Sequence, residues 1–309
     1  MMFDIIGKRF WFFVASGVLI LASIFSLATF GLKPGIEFNS GSMLTVRFES
    51  PVDYAEFKEE ITGLGYRDAI IQRTSTGDFL IRTHELTDEE KAEIEAALAD
   101  RFGKLSEAQF NSVSPQVASE TVRNVAVAVA VAMVGILLYV TWAFRKMPRP
   151  FRYGTCAIIA LVHDTLVTAG VFSILGAILG WEINLMFITG LMTIVGYSIN
   201  NTIVVFDRIR ENQAKGVSAN FQEIVNDSIV ETMSRSFNTS ITTLITVLAL
   251  LLFVGATIQN FVVVLLIGVI IGTFDSVFVA PGLLVVWSRR EWGRFIGRRL
   301  VAPGGAKGG

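Results

Sequence analysis

The chain has 309 residues, of which 52% are hydrophobic and only 17% charged, and its mean hydropathy is +0.57, which excludes a freely soluble globule. Its 26 basic and 27 acidic residues leave a net charge of −1, so no overall basic field is available to hold nucleic acid. A single cysteine, Cys156, and two distant histidines, His84 and His163, supply neither a disulfide nor a zinc ligand set, and no cofactor or metal is expected.

Crossing the hydrocarbon core of a bilayer takes about 20 apolar residues of helix. Six blocks reach that length: Phe10 to Phe30, Val122 to Phe144, Tyr153 to Leu179, Asn184 to Phe206, Phe237 to Ala256 and Phe261 to Trp287. The first follows Lys8 and Arg9 as a signal peptide would, but it is long and lacks a small-x-small cleavage site before Lys33, so it reads as an uncleaved anchor. Short loops rich in lysine and arginine stay in the cytoplasm. Lys8 and Arg9 precede the first span, Arg145, Lys146, Arg149 and Arg152 follow the second, and Arg208, Arg210, Lys215 and Arg235 lie between the fourth and fifth. Arg289, Arg290, Arg294, Arg298 and Arg299 follow the sixth. This pattern puts both termini in the cytoplasm and the acid-rich interval between the first two spans outside.

That interval carries the periodicities of a folded domain at about residues 36 to 115. Met43 to Phe48 alternates as a strand, and Tyr54 to Leu64 places Phe57, Ile61 and Leu64 on one helical stripe ended by Gly63 and Gly65. Ala69 to Arg73 and Phe79 to Thr83 read as strands joined by a turn at Ser75, Thr76, Gly77 and Asp78. Thr87 with Glu90 is a capping box, Ile94, Leu98 and Phe102 follow at helical spacing, Gly103 stops the helix, and a last strand lies near Gln109 to Val113. The order strand, helix, strand, strand, helix, strand is that of a ferredoxin-like sandwich.

Ionisable groups within the bilayer cost about 2.5 to 3.5 kcal/mol each on insertion scales, so each needs a partner or a task. His163 and Asp164 sit near the middle of the third span, Asp275 near the middle of the sixth, and Arg235 at the cytoplasmic mouth of the fifth. Asp207 and Arg208 end the fourth span as a solvated helix terminus. Gly268, Gly272 and Asp275 share a small-residue stripe that admits close helix packing. Arg235, Thr239, Thr242 and Thr246 form a second stripe, and Gly190, Thr193, Tyr197 and Asn201 a third, beside Ser198, Asn200 and Thr202. Together they predict a hydrated seam.

Several of these stretches also carry a family resemblance. Residues 35–41 (Gly35, Ile36, Glu37, Phe38, Asn39, Ser40, Gly41), Val162-His163-Asp164, the run 196–212 from Gly196 to Asn212, Ser234-Arg235-Ser236 with Thr239-Ser240 and Thr242-Thr243-Leu244, and the run 272–281 from Gly272 to Pro281 resemble the SecF proteins of the SecD/SecF family, in the resistance-nodulation-division (RND) superfamily. The resemblance covers nearly the whole chain. It implies a polytopic α-helical membrane protein with six transmembrane helices, half of an RND-type bundle, carrying a small α+β ferredoxin-like extracytoplasmic domain. Its expected divisions are 1–32 for the first span, 33–120 for the outer domain, 121–290 for the five-helix bundle and 291–309 for a basic cytoplasmic tail. The implied role is non-enzymatic: a subunit in the bacterial inner membrane that works with SecD, the SecYEG channel and YajC to pull unfolded preproteins outward with the proton gradient.

The chain departs from the family pattern at four places. Glu37 stands for the usual aspartate, Ser40-Gly41 for a glycine pair, Asn201 for the acidic residue associated with proton passage, and Asp275 for a small hydroxyl residue. An amide does not titrate. If protons are coupled here, the first choice of carrier is Asp275 and the second Asp164, with His163, Asn201 and Arg235 along the pathway. Rival readings are a non-conducting structural subunit, half of a small-molecule or lipid exporter, and an intramembrane aspartyl protease using Asp164 and Asp275. The last lacks a Gly-x-Gly-Asp context.

Overall fold

The computed structural model describes residues 4–74 and 77–291. The first apolar block folds as α1 (Arg9–Phe30), and Gly31, at φ +66°, ends it by donating its N–H to the Leu27 carbonyl. A four-residue helix, α2 (Ile36–Asn39), then precedes the outer domain.

Alternation builds the sheet. In β1 (Gly41–Phe48) the even positions Leu44, Val46 and Phe48 point into the domain's core, while Met43 and Thr45 point away. α3 (Tyr54–Gly63) starts where the Asp53 carboxylate accepts from the Ala55 and Glu56 N–H groups, and it buries Phe57 and Ile61. β2 (Ile70–Arg73) and β3 (Phe79–Thr83) pair antiparallel. The reciprocal Thr87 and Glu90 bonds open α4 (Asp88–Phe102), which buries Ile94 and Leu98. These bonds hold the Glu90 carboxyl below its usual 4.5, so its contribution is present above that pH and is lost as pH falls through the folded value. β4 (Leu105–Val113) completes an antiparallel sheet of order β2-β3-β1-β4, the ferredoxin-like arrangement, with Phe57 stacked on Phe79 at 4.0 Å in the core. Part of the expected hairpin turn, Ser75 and Thr76, lies outside the described residues, as does the tail beyond Glu291 with Arg294, Arg298 and Arg299.

Five further spans follow. α5 (Pro115–Ala143) begins at a Ser114 cap with proline in its first turn, α6 (Phe151–Leu179) and α7 (Leu185–Lys215) come next, and α8 (Phe221–Phe253) starts at an Asn220 cap. The sixth span is α9 (Ala256–Phe274), one π-helical turn (Asp275–Val279) and α10 (Ala280–Arg289). Four spans outrun their apolar blocks: α5 starts seven residues before Val122, α7 runs nine past Phe206, α8 starts sixteen before Phe237, and the sixth starts five before Phe261. The reason is that hydropathy marks only the lipid-matched stretch, whereas capped helices continue into water on amphipathic turns.

α6, α7 and the sixth span form the middle of the bundle, and α5 is the least buried helix. Phe144, Tyr153 and Phe206 pack together at the end of the bundle bearing the chain's N-terminus, with Phe144 and Tyr153 stacked at 5.2 Å. Missing side chains set the closest approaches. A Cβ on Gly170 would lie 2.6 Å from the Ser23 Cα of α1, and one on Gly268 would lie 2.4 Å from Ile194 of α7. Gly170→Ala should therefore lower the melting temperature in detergent, by overpacking worth about 1 to 3 kcal/mol. Gly135→Ala, which has open space around it, should leave the melting temperature unchanged or raise it slightly.

Candidate functional site

Three ionisable side chains meet in the middle of the bundle. α6 contributes His163 and Asp164, and the π-helical turn contributes Asp275; their relative exposures are 4%, 2% and 0%. One donor atom from each lies within 4.8 Å of the others. His163 Nδ1 is 3.4 Å from Asp164 Oδ1 and 3.7 Å from Asp275 Oδ2. The site depends on Gly272, because a Cβ there would reach within 3.0 Å of the Ser198 Cβ and 3.4 Å of Asp164 Oδ2. It depends equally on the π turn, where the wider hydrogen-bonded loop runs from the Ala280 N–H to the Asp275 carbonyl.

Hydroxyls surround this cluster. Ser198 donates to Asp164 Oδ2 at 2.5 Å, Thr202 to Ser276 Oγ at 3.0 Å, and Tyr197 to Ser240 Oγ at 3.1 Å, while Ser240 and Thr273 share a bond of 2.6 Å. Five buried polar atoms in this region have no hydrogen-bond partner: both Asp275 carboxyl oxygens, His163 Nε2, Asn201 Nδ2 and Ser236 Oγ. Among the described residues no lysine or arginine pairs with either aspartate.

Asn201, Ser198 and Thr202 are buried on α7, but Thr193 and Asn200 are exposed. Arg235, Thr239, Thr242 and Thr246 all lie on an outward face of α8 and do not line an internal seam. Their hydroxyls are already satisfied by their own helix: Thr239 donates to the Arg235 carbonyl, Thr242 to Asn238 and Thr246 to Thr242, at 2.9 to 3.0 Å. The inward face of α8 is one step round, at Thr232, Ser236, Ser240 and Val247. Arg235 thus faces away from Asp275. At the helix end, Arg208 bonds both Glu211 and Glu231, so it is more than a solvated terminus.

The segment Gly35, Glu37, Phe38 and Gly41 joins the outer domain to the bundle. Gly35 donates to the Ile183 carbonyl at 2.7 Å, Ile183 donates back to Lys33 at 2.8 Å, and a Cβ on Gly35 would lie 3.0 Å from that carbonyl. Gly41 holds φ +120° where a Cβ would be 2.5 Å from the Thr83 carbonyl, so only glycine fits. Phe38 is half-buried beside them. The open face of the sheet adds Gln72, which donates to the Gly180 carbonyl at 2.8 Å, and Arg82, which pairs with Glu182. Asn260 of α9 donates to the Glu182 carbonyl at 2.8 Å. Burial lowers Arg82 to about 10, opposed by the Glu37 charge, so it remains a cation at neutral pH. The turn from Gly180 to Asn184 is therefore a clamp for the outer domain. Its sequence signals only a short connection, because its contacts use mostly backbone carbonyls.

Among the described residues, six membrane-length helices with a ferredoxin-like sandwich inserted after the first define a multi-pass membrane protein. Residues 93–290 match the family profile described as protein export membrane protein SecD/SecF, C-terminal, and residues 25–52 match the SecD/SecF GG motif. The chain belongs to the SecD/SecF family. It is 42% identical to the protein translocase subunit SecF of Thermobaculum terrenum, over 96% of this chain and 98% of that one. It is 34% identical to the protein translocase subunit SecDF of Thermus thermophilus, covering 90% of this chain and 38% of the relative. The crystal structure of SecDF, a translocon-associated membrane protein from the same organism, superposes with a TM-score of 0.82 at 34% identity, over 94% of this chain and 39% of that chain.

The clamp has a measurable consequence. Glu182→Gln leaves the buried Arg82 charge without its close partner, so amide exchange at Gly35 and Ile183 should accelerate more than tenfold, equivalent to about 1.4 kcal/mol. Glu89→Gln, at the exposed start of α4, should leave both amides unchanged.

Proposed function

We propose that this chain is a SecF-type subunit of the bacterial Sec export machinery, acting beside SecYEG with a SecD-type half, and with YajC, to help complete translocation of unfolded preproteins using the proton motive force. The observation that carries this reading is the 42% identity to a protein translocase subunit SecF over almost the full length of both chains. The fused SecDF relative supports the partnership, since this chain accounts for only 38% of it and the remainder supplies a second half. The outward face of α8 fits such a neighbour: Arg235, two residues before the apolar block, and the ladder of threonines that continues into it suit a polar helix better than lipid.

In this reading the chain lies in the cytoplasmic membrane with both termini inside, as its lysine and arginine distribution favours. Residues 33–120 stand outside, residues 121–290 form the bundle and the basic tail from 291 is cytoplasmic. Arg235 acts at the interface with the partner half rather than on the buried aspartates. Asn201 favours a second reading, a structural subunit that conducts nothing, because its amide occupies the family's acidic position.

In a Cys156→Ala background, cysteines at Ala92 and at Lys215 should label from opposite sides of the membrane with an impermeant reagent; labelling of both from one side refutes the topology. Purification of the chain from cells that express its neighbours should bring down a SecD-type protein, and its absence refutes the partnership. Arg235→Lys keeps the charge but loses the planar fork, and export should fall at least tenfold at normal membrane levels. Unchanged export would assign Arg235 to headgroup contact.

A further inference from the structure

Among the described residues, the centre of the bundle holds two carboxyl groups, one imidazole and no lysine or arginine, and the hydrogen bonds around them are unequal. Asp164 accepts from Ser198 at 2.5 Å and lies beside His163 Nδ1. Asp275 is fully enclosed, and neither of its oxygens has a bonded donor. A carboxylate that accepts two donors is favoured in its charged form, and a carboxyl with none is favoured in its neutral form. Two charged carboxylates with oxygens within 4.8 Å of each other, without a lysine or arginine beside them and in an enclosed site, would cost far more than the geometry returns.

Among the described residues, the elements packed around the pair bring no charged group to it. α7 presents Tyr197, Ser198, Asn201 and Thr202, none of them charged; the sixth span presents Thr273 and Ser276; and α8 presents Ser236 and Ser240, with Arg235 turned outward. α1 presents Ser16, Ser23 and Ser26, and its Arg9 is paired with Glu291 at the end of the bundle.

We infer that Asp164 and Asp275 hold one proton in common, resident on Asp275 and donated to Asp164, with His163 and Ser198 fixing Asp164 as the acceptor. Resting on the export reading above, this pair is the proton-loading site of the chain and stands in for the amide at Asn201. The assignment uses a pair on α6 and the sixth span, whereas α7 brings hydroxyls and an amide, Ser198, Thr202 and Asn201, none of which can load. Asp275 is the proton-holding residue, and His163 and Ser198 are positioning residues.

Infrared spectroscopy of the purified chain in lipid, with its partner half, reads the proton directly through the carbonyl stretch of a neutral carboxylic acid that shifts in D2O. Wild type should show this band at neutral pH. Asp275→Asn should remove it, Asp164→Asn should move it because the acceptor changes, and Asp275→Glu should restore it. If Asp275→Asn does not reach the membrane folded, Asp275→Ser, matched in size to the neighbouring hydroxyls, replaces it. Absence of the band in wild type, its persistence in Asp275→Asn, or one tightly held divalent metal ion per chain by elemental analysis overturns the shared proton. In vesicles with an imposed pH gradient, Asp275→Asn should lose the gradient-stimulated part of export at least tenfold, whereas Glu89→Gln, at the exposed start of α4, should keep it. Stimulation unchanged in Asp275→Asn overturns the loading role. An intact band with no stimulation in wild type overturns the export coupling and leaves the shared proton in place.

Discussion

Inside a bilayer there is no water to accept what the protein leaves unpaired, and that single constraint orders this molecule. Backbone groups are satisfied by helices. Most hydroxyls of α8 are satisfied by the carbonyl one turn earlier, which is why a face of threonines can stand outward without a hydrated channel behind it. What cannot be satisfied locally is collected at the centre, where α6, α7 and the sixth span meet and where glycine lets helices approach closely enough for Ser198 to reach Asp164. The same economy explains the π turn. By widening one loop of the helix it carries Asp275 and Ser276 into the centre while α10 continues below it.

Much of the fold was legible because its signals are local. The Thr87 and Glu90 capping box, the alternation through β1 and the length of the apolar blocks each depend on a few neighbouring residues, and the structure contains each of them. The ends of α5, α7 and α8 were not legible in hydropathy, since a helix stops where its caps are and not where the lipid ends. Nor was α2 visible, four residues being too short to display a period.

The site was legible only in part. An aspartate or histidine within an apolar block announces itself by cost alone, and so His163, Asp164 and Asp275 could be named singly. Their assembly depends on a π turn and on two helices touching at glycine, neither of which periodicity encodes. The stripe containing Arg235 misled for a related reason: helical spacing defines a face but not what the face meets. The Gly180 to Asn184 clamp escaped notice because carbonyl oxygens are the same in every sequence.

The clamp also makes α6 a connecting rod. One end of this helix is held, through the turn that follows Leu179, by the sheet of the outer domain, and Asp164 lies fifteen residues along it, about 22 Å away at 1.5 Å per residue. A helix is stiff along its axis, so any tilt of the outer sheet that tugs on Glu182 and Ile183 is delivered as a push or pull on the carboxyl pair. Movement outside the membrane and charge within it thus share one mechanical part.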